Sequence, residues 1–211
     1  IEFTHHAEKA GADSALLVVP YYNKPTPEGL YQHFKAIHDA TGLPLVLYNI
    51  PGRSVVNMSD DLIARIAELP RVAGVKDATG DLARVSTLRA KVGNKLALLS
   101  GEDMTAVGFN AMGGVGCISV ASNVAPKLCA EVQNACLAGD FKKALATHEK
   151  LFPLNNVMFI ETNPMPVKYA VSRLGMCSEE IRLPLVMPTE ATKKAVDAVL
   201  AKMGLRSEER R

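Results

Sequence analysis

The runs Pro44-Leu45-Val46-Leu47-Tyr48-Asn49 and Val72-Ala73-Gly74-Val75-Lys76 flank the segment Ser59-Asp60-Asp61-Leu62-Ile63-Ala64-Arg65-Ile66-Ala67-Glu68-Leu69. The outer runs are short and mostly apolar, the pattern of strands buried on both faces of a parallel sheet. The middle segment repeats its apolar residues at helical spacing, and Ser59 with two aspartates forms a capped, acidic N-terminus suited to the positive helix end. Together they make one βαβ unit.

The same alternation extends in both directions. Strands are expected at residues 15–20, 44–49, 72–76, 96–100 and 114–120, with crossover helices at 26–41, 59–69, 81–92 and 103–112. Residues 1–10 have the look of a helix interior. After residue 120 no strand pattern remains, and helices are expected at 125–138, 140–159, 166–174 and 189–203. The final six residues, Arg206 to Arg211, with five charges and no apolar side chain, read as a disordered tail. An α/β chain of five βα units followed by helices could be an open doubly wound sheet or part of a (β/α)8 TIM barrel, and periodicity does not choose between them. No phosphate-binding glycine motif follows the first strand, because Gly113-Gly114-Val115-Gly116 lies before a strand, which argues against the nucleotide-binding version.

Composition narrows the function. The chain has 211 residues, 48% hydrophobic and 22% charged, with 24 basic against 22 acidic residues and a net charge of +2. Such a balance gives no basic field for nucleic acid. The uncharged stretch from 104 to 126 has the length of a membrane span, but its glycines, serines and asparagines interrupt it. Cys117, Cys129, Cys136 and Cys177 form no CxxC pair and no zinc-type spacing with histidine, so neither a metal site nor a disulfide framework is expected, and a reducing cytoplasm is the simplest compartment. The five histidines fall on expected helices away from strand ends and read as surface or packing residues.

Polar groups gather instead where strands end: Tyr21-Tyr22-Asn23, Tyr48-Asn49, Lys76-Asp77, Ser100-Gly101-Glu102 and Ser119. Lys76 closes an apolar run, where desolvation favours a neutral amine able to attack a carbonyl; an ion pair with Asp77, Glu102 or Asp103 is the equal structural alternative. Tyr48 closes the neighbouring strand and can relay protons during imine formation, or simply fill a rim. Arg53, in the Pro/Gly-stiffened loop Asn49-Ile50-Pro51-Gly52-Arg53-Ser54, has the fork that grips a carboxylate and also suits a surface salt bridge.

Five ordered motifs now carry a resemblance: Pro20-Tyr21-Tyr22-Asn23-Lys24-Pro25, Tyr48-Asn49-Ile50-Pro51-Gly52-Arg53-Ser54, Val75-Lys76-Asp77-Ala78-Thr79-Gly80-Asp81, Ser100-Gly101-Glu102-Asp103, and Glu161-Thr162-Asn163-Pro164-Met165-Pro166-Val167-Lys168. The chain resembles the dihydrodipicolinate synthase family from residue 1 to about 205. The resemblance implies a (β/α)8 barrel with a C-terminal helical extension, here strands four to eight only. Residues 1–124 would be the partial barrel, 125–205 the extension and 206–211 the tail. It implies a lyase of lysine biosynthesis that condenses pyruvate with L-aspartate 4-semialdehyde to 4-hydroxy-tetrahydrodipicolinate, without cofactor or metal, in the cytoplasm.

By motif, Lys76 would form the Schiff base, Tyr48 would be the relay tyrosine, and Tyr22 would reach across a dimer interface in a homotetramer built as a dimer of dimers. Arg53 would hold the semialdehyde carboxylate, with Ile118, Gly101 and Thr79 completing the substrate-binding set, and Tyr21 would belong to an allosteric lysine site. Family members begin with three further strands bearing a Thr-Thr pair, so an N-terminally truncated chain is expected. Two alternatives stand beside this reading: a pyruvate aldolase of the N-acetylneuraminate lyase type, and a non-catalytic truncated paralogue.

Overall fold

The computed structural model describes residues 1–205, so the expected tail at 206–211 lies outside the described residues. Two compact units are resolved, Ile1–Ile118 and a second beginning at Ser119. Within the second unit the 3-10 turn Ala121–Asn123 packs with the helices that follow it.

In the first unit the order is α1 (Glu2–Lys9), β1 (Ala15–Val18), α2 (Pro27–Ala40), β2 (Leu45–Asn49), α3 (Pro51–Ser54), α4 (Asp60–Ile66), β3 (Val72–Asp77), α5 (Ala83–Val92), β4 (Ala97–Ser100), α6 (Ala106–Ala111) and β5 (Gly116–Cys117). Local chemistry sets the helix starts. Thr26 accepts the Gly29 N–H and precedes Pro27, whose missing donor costs nothing at a first helical position; Ser59 accepts the Leu62 N–H.

All five strands are parallel and lie in the order β1-β2-β3-β4-β5. A doubly wound sheet reverses its strand order at a switch point. This sheet has no reversal, so the choice left open by periodicity falls to the singly wound order that (β/α) barrels use.

The register gives the sheet two faces. Leu17, Leu47, Val75 and Leu98 form one row across β1 to β4, and Val18, Tyr48, Lys76, Leu99 and Gly116 form the next. Adjacent rows point to opposite faces. The first row joins Leu30 and Phe34 of α2, Ile63 and Ile66 of α4, Val85 and Leu88 of α5, and Phe109 of α6 in the main core. Each such side chain contributes about 1.5–3 kcal/mol by leaving water. On the other face Leu16 and Val18 remain 45% and 44% exposed, in company with Tyr48 and Lys76.

Helices α4 and α6 are shorter than the expected 59–69 and 103–112, and two other elements differ more in kind. The loop that carries Arg53 contains the one-turn helix α3, which begins at Pro51 and is closed by the Ser54 hydroxyl donating to the carbonyl of Ile50. Strand β5 is two residues long, where residues 114–120 were expected, because the chain turns after Ile118 into the 3-10 turn at Ala121–Asn123.

The second unit holds α7 (Pro126–Leu137), α8 (Phe141–Val157), α9 (Met165–Arg173) and α10 (Glu190–Lys202). Asp140 and Thr189 cap α8 and α10. Among the described residues, no helix is long and apolar enough to cross a membrane, and no group of three or more His, Cys, Asp and Glu side chains is placed to hold a metal ion. His38 is a packing residue, buried at the end of α2, with its Nε2 accepting the Arg71 N–H.

Candidate active site

Strand pairing alone brings Tyr48 and Lys76 side by side, since they are register partners on β2 and β3. Alternation then turns both to the less covered sheet face. The Lys76 Nζ stands 4.0 Å from the centroid of the Tyr48 ring. An ammonium over the face of a phenol is held by the ring quadrupole. The same contact places a potential proton carrier beside the amine.

The residue after each of them points the other way. Asn49 is fully buried, and Asp77 is buried with its carboxylate taken by Arg84, whose Nε donates to Oδ2 at 3.0 Å. Thr79 donates to Asp77 Oδ1 from both its N–H (2.8 Å) and its hydroxyl (2.6 Å). Asp77 is therefore not the structural partner of Lys76 that adjacency allowed, because a strand places neighbouring residues on opposite faces.

Gly101 follows β4 and closes the side of the lysine. Its N–H donates to the carbonyl of Asp77 at 2.7 Å, and a β-carbon at this position would fall 3.2 Å from Lys76 Cε and 2.7 Å from Ala78 Cβ. Ile118 continues past β5, its N–H donating to the Ser100 carbonyl at 2.9 Å. Ser100 is buried and closes its own turn, accepting the Glu102 N–H and donating to the Glu102 carbonyl.

The remaining expected residues stand further out. Arg53 lies on α3, immediately beyond the end of β2, and is exposed. Thr79 lies in the turn after β3, where its hydroxyl also accepts the Asp81 N–H. Tyr21 and Tyr22 occupy the turn after β1 and are 66% and 93% exposed. The geometry thus gathers Lys76, Tyr48 and Gly101, sets Ile118 beside them across the β4 end, and leaves Tyr21 and Tyr22 facing outward from their own chain. Two residues without an assigned role in the sequence reading, Asn49 and Arg84, turn out to hold the site's framework. Strand alternation after Tyr48 signals Asn49; no local pattern signals Arg84.

A singly wound parallel sheet with a lysine set against a tyrosine at its C-terminal edge defines an α/β enzyme equipped to work on carbonyl compounds through an amine. The profile of the dihydrodipicolinate synthetase family matches residues 1–203, and the chain belongs to that family. The 4-hydroxy-tetrahydrodipicolinate synthase of Methylobacterium radiotolerans is 58% identical over 205 residues, 97% of this chain and 69% of that protein. Among solved structures, dihydrodipicolinate synthase from Aquifex aeolicus superposes with a TM-score of 0.96 at 42% identity, covering 97% of this chain and 70% of that one. A chloride-inhibited dihydrodipicolinate synthase from Acinetobacter baumannii, solved in complex with pyruvate, gives 0.94 at 46% identity with the same coverage.

Proposed function

We propose that this protein is a Schiff-base-forming lyase that condenses pyruvate with L-aspartate 4-semialdehyde to 4-hydroxy-tetrahydrodipicolinate in lysine biosynthesis. The observation that carries the reading is the Lys76 amine standing 4.0 Å over the Tyr48 ring, in a chain of this family whose relatives bear that enzyme's name.

The Lys76 nitrogen, having given up a proton, adds to the keto carbon of pyruvate, and the carbonyl oxygen takes up a proton to give a carbinolamine. Loss of that hydroxyl as water leaves the imine, and both proton transfers fall to Tyr48. Release of a methyl proton gives an enamine, whose carbon attacks the aldehyde of the second substrate. The amino group brought by the semialdehyde then adds to the imine carbon and expels the Lys76 amine, which closes the ring of the product as a cyclic imine and frees the lysine. Gly101 gives the lysine stem and the pyruvate room, the backbone at Ile118 faces pyruvate, Arg53 pairs with the semialdehyde carboxylate, and Thr79 completes the substrate-binding loop.

The five strands are read as the fourth to eighth of a (β/α)8 barrel, with residues 1–124 in the barrel and 125–205 as the helical extension; the sequential strand order supports this. Tyr22 serves the site of a second copy in a homotetramer made of two dimers, and Tyr21 lines an allosteric lysine site, readings supported by the exposure of both rings. The cytoplasm is the proposed compartment.

Incubation with pyruvate and borohydride tests the central step. One reduced adduct on Lys76, absent from Lys76→Ala, is the expected result. An adduct on another lysine, or equal labelling of the variant, overturns the assignment.

A further inference from the structure

Met58 lies between α3 and α4, and both of its backbone polar groups are held by side chains. Asn49 Oδ1 accepts its N–H at 3.0 Å, while Asn49 Nδ2 donates to Asn57 Oδ1 at 2.9 Å. The carbonyl of Met58 accepts from Arg84 Nη2 at 2.9 Å, and the Met58 side chain is fully buried in the core. Arg84 in turn donates through Nε to Asp77. Asp60 Oδ1 stands 2.9 Å from Arg84 Nη2 as an ion pair, without the alignment of a hydrogen bond.

The two anchors have a common origin. Asn49 follows Tyr48 and Asp77 follows Lys76, so each strand that presents a chemical group to one face sends its next side chain to the other. Both of those side chains converge on Met58, one directly and one through Arg84. The chain from Ile50 to Asn57, with Arg53 on its short helix, is therefore tied at both ends to the strands that carry the amine and the phenol.

We propose that Arg84 is a positioning residue that sets where the Arg53 arm stands relative to the Lys76 amine, an inference that rests on the pyruvate-lyase reading of the site. The arginine suits this task because its planar fork reaches Asp77 and Met58 with different nitrogens, which a lysine ammonium at the end of a flexible stem does not reproduce. The arrangement is also intolerant of partial loss: an Asp77 carboxylate only 4% exposed has Arg84 as its one ion-pair partner among the described residues, and removing one member of such a pair leaves a buried charge uncompensated. A displacement of about 1 Å in a substrate-holding group can cost on the order of a hundredfold in rate.

The test compares the full chain with Arg84→Met and Arg84→Lys. Three measurements are made: deuterium exchange over residues 50–58 against residues 72–77, borohydride-trapped pyruvate on Lys76, and the semialdehyde KM beside kcat. In Arg84→Met, exchange over 50–58 should rise at least about tenfold beyond any rise over 72–77. Pyruvate trapping should stay within about threefold, and the semialdehyde KM should climb on the order of ten- to a hundredfold. Arg84→Lys keeps a charge opposite Asp77 and should preserve folding and trapping while still loosening 50–58 and raising KM; it carries the test if Arg84→Met does not fold. The proposal is overturned if exchange over 50–58 rises only in step with the rest of the protein, if trapping and KM suffer equally, or if Arg84→Lys matches the parent throughout. If the parent traps no pyruvate, the lyase reading fails, and the exchange comparison decides on the clamp by itself.

Discussion

At the scale of single residues, the space beside Lys76 is as informative as the lysine itself. Gly101 has no side chain where a β-carbon would meet Ala78 Cβ at 2.7 Å, the Asp77 carbonyl at 3.1 Å and Lys76 Cε at 3.2 Å. The first two neighbours cannot swing away, since one is a β-carbon and the other backbone. Gly101→Ala must therefore displace the end of β4 or the lysine stem, at a cost on the order of 1–3 kcal/mol. The expected outcome is a lower melting temperature together with at least about tenfold slower pyruvate trapping on Lys76. Unchanged trapping in a destabilised variant would mean that the strand end gives way and the lysine is not confined. Nothing in the bare sequence marks this glycine as obligatory, because its neighbours in space come from β3, some 25 positions earlier. By contrast, strand alternation alone suffices to turn Lys76 away from Asp77, although adjacency in the sequence had left an ion pair between them open.

At the scale of elements, legibility follows length and period. The helices α2, α5, α7, α8 and α10 span ten residues or more and carry enough turns for their apolar spacing to register. α3 has four residues, too few for any period. Its closure depends on Ser54 and on Val55, which takes a left-handed φ of 64° that a β-branched residue rarely adopts. Strand β5 was overread because apolar residues continue beyond it while the backbone turns. The pairing of α9 with α10 was equally hidden, and it carries a pH prediction. The Tyr169 hydroxyl donates to Asp197 Oδ2 at 2.9 Å, and Arg173 Nε donates to Asp197 Oδ1 at 2.9 Å. Burial first, and then the hydrogen bond and negative charge of Asp197, push the Tyr169 phenol up from 10.0 to about 12. Because the proton is held more tightly in the fold, this contribution to stability is complete below pH 10 and is lost as pH rises through about 12. Tyr169→Phe should cost about 1 kcal/mol at neutral pH, and the gap between variant and parent should close with rising pH across that window. A phenolate absorbance titration that finds Tyr169 ionising at pH 10 would sink the idea.

At the scale of the whole molecule, the order of the strands was readable up to a choice of winding, and only their arrangement in space removed the doubly wound alternative. What a second copy contributes lies beyond any one chain's contacts, and Tyr22 is the residue through which it can be measured. Its ring is 93% exposed on the turn after β1, whereas Lys76 and Tyr48 meet within the sheet of their own chain. If Tyr22 works in the partner's site, Tyr22→Phe and Lys76→Ala are each inactive as pure proteins but complement one another. In a mixed dimer, the Tyr22→Phe protomer keeps its own Lys76 and receives an intact Tyr22 from the Lys76→Ala protomer. The other site lacks both groups. Random exchange makes half of the dimers mixed, each with one working site of two, so activity should return to about a quarter of the parent value. Subunits unfolded together, refolded and assayed for condensation provide the measurement. Should Tyr22 act within its own chain, the mixture has no site with both groups intact and stays at the level of the separate variants.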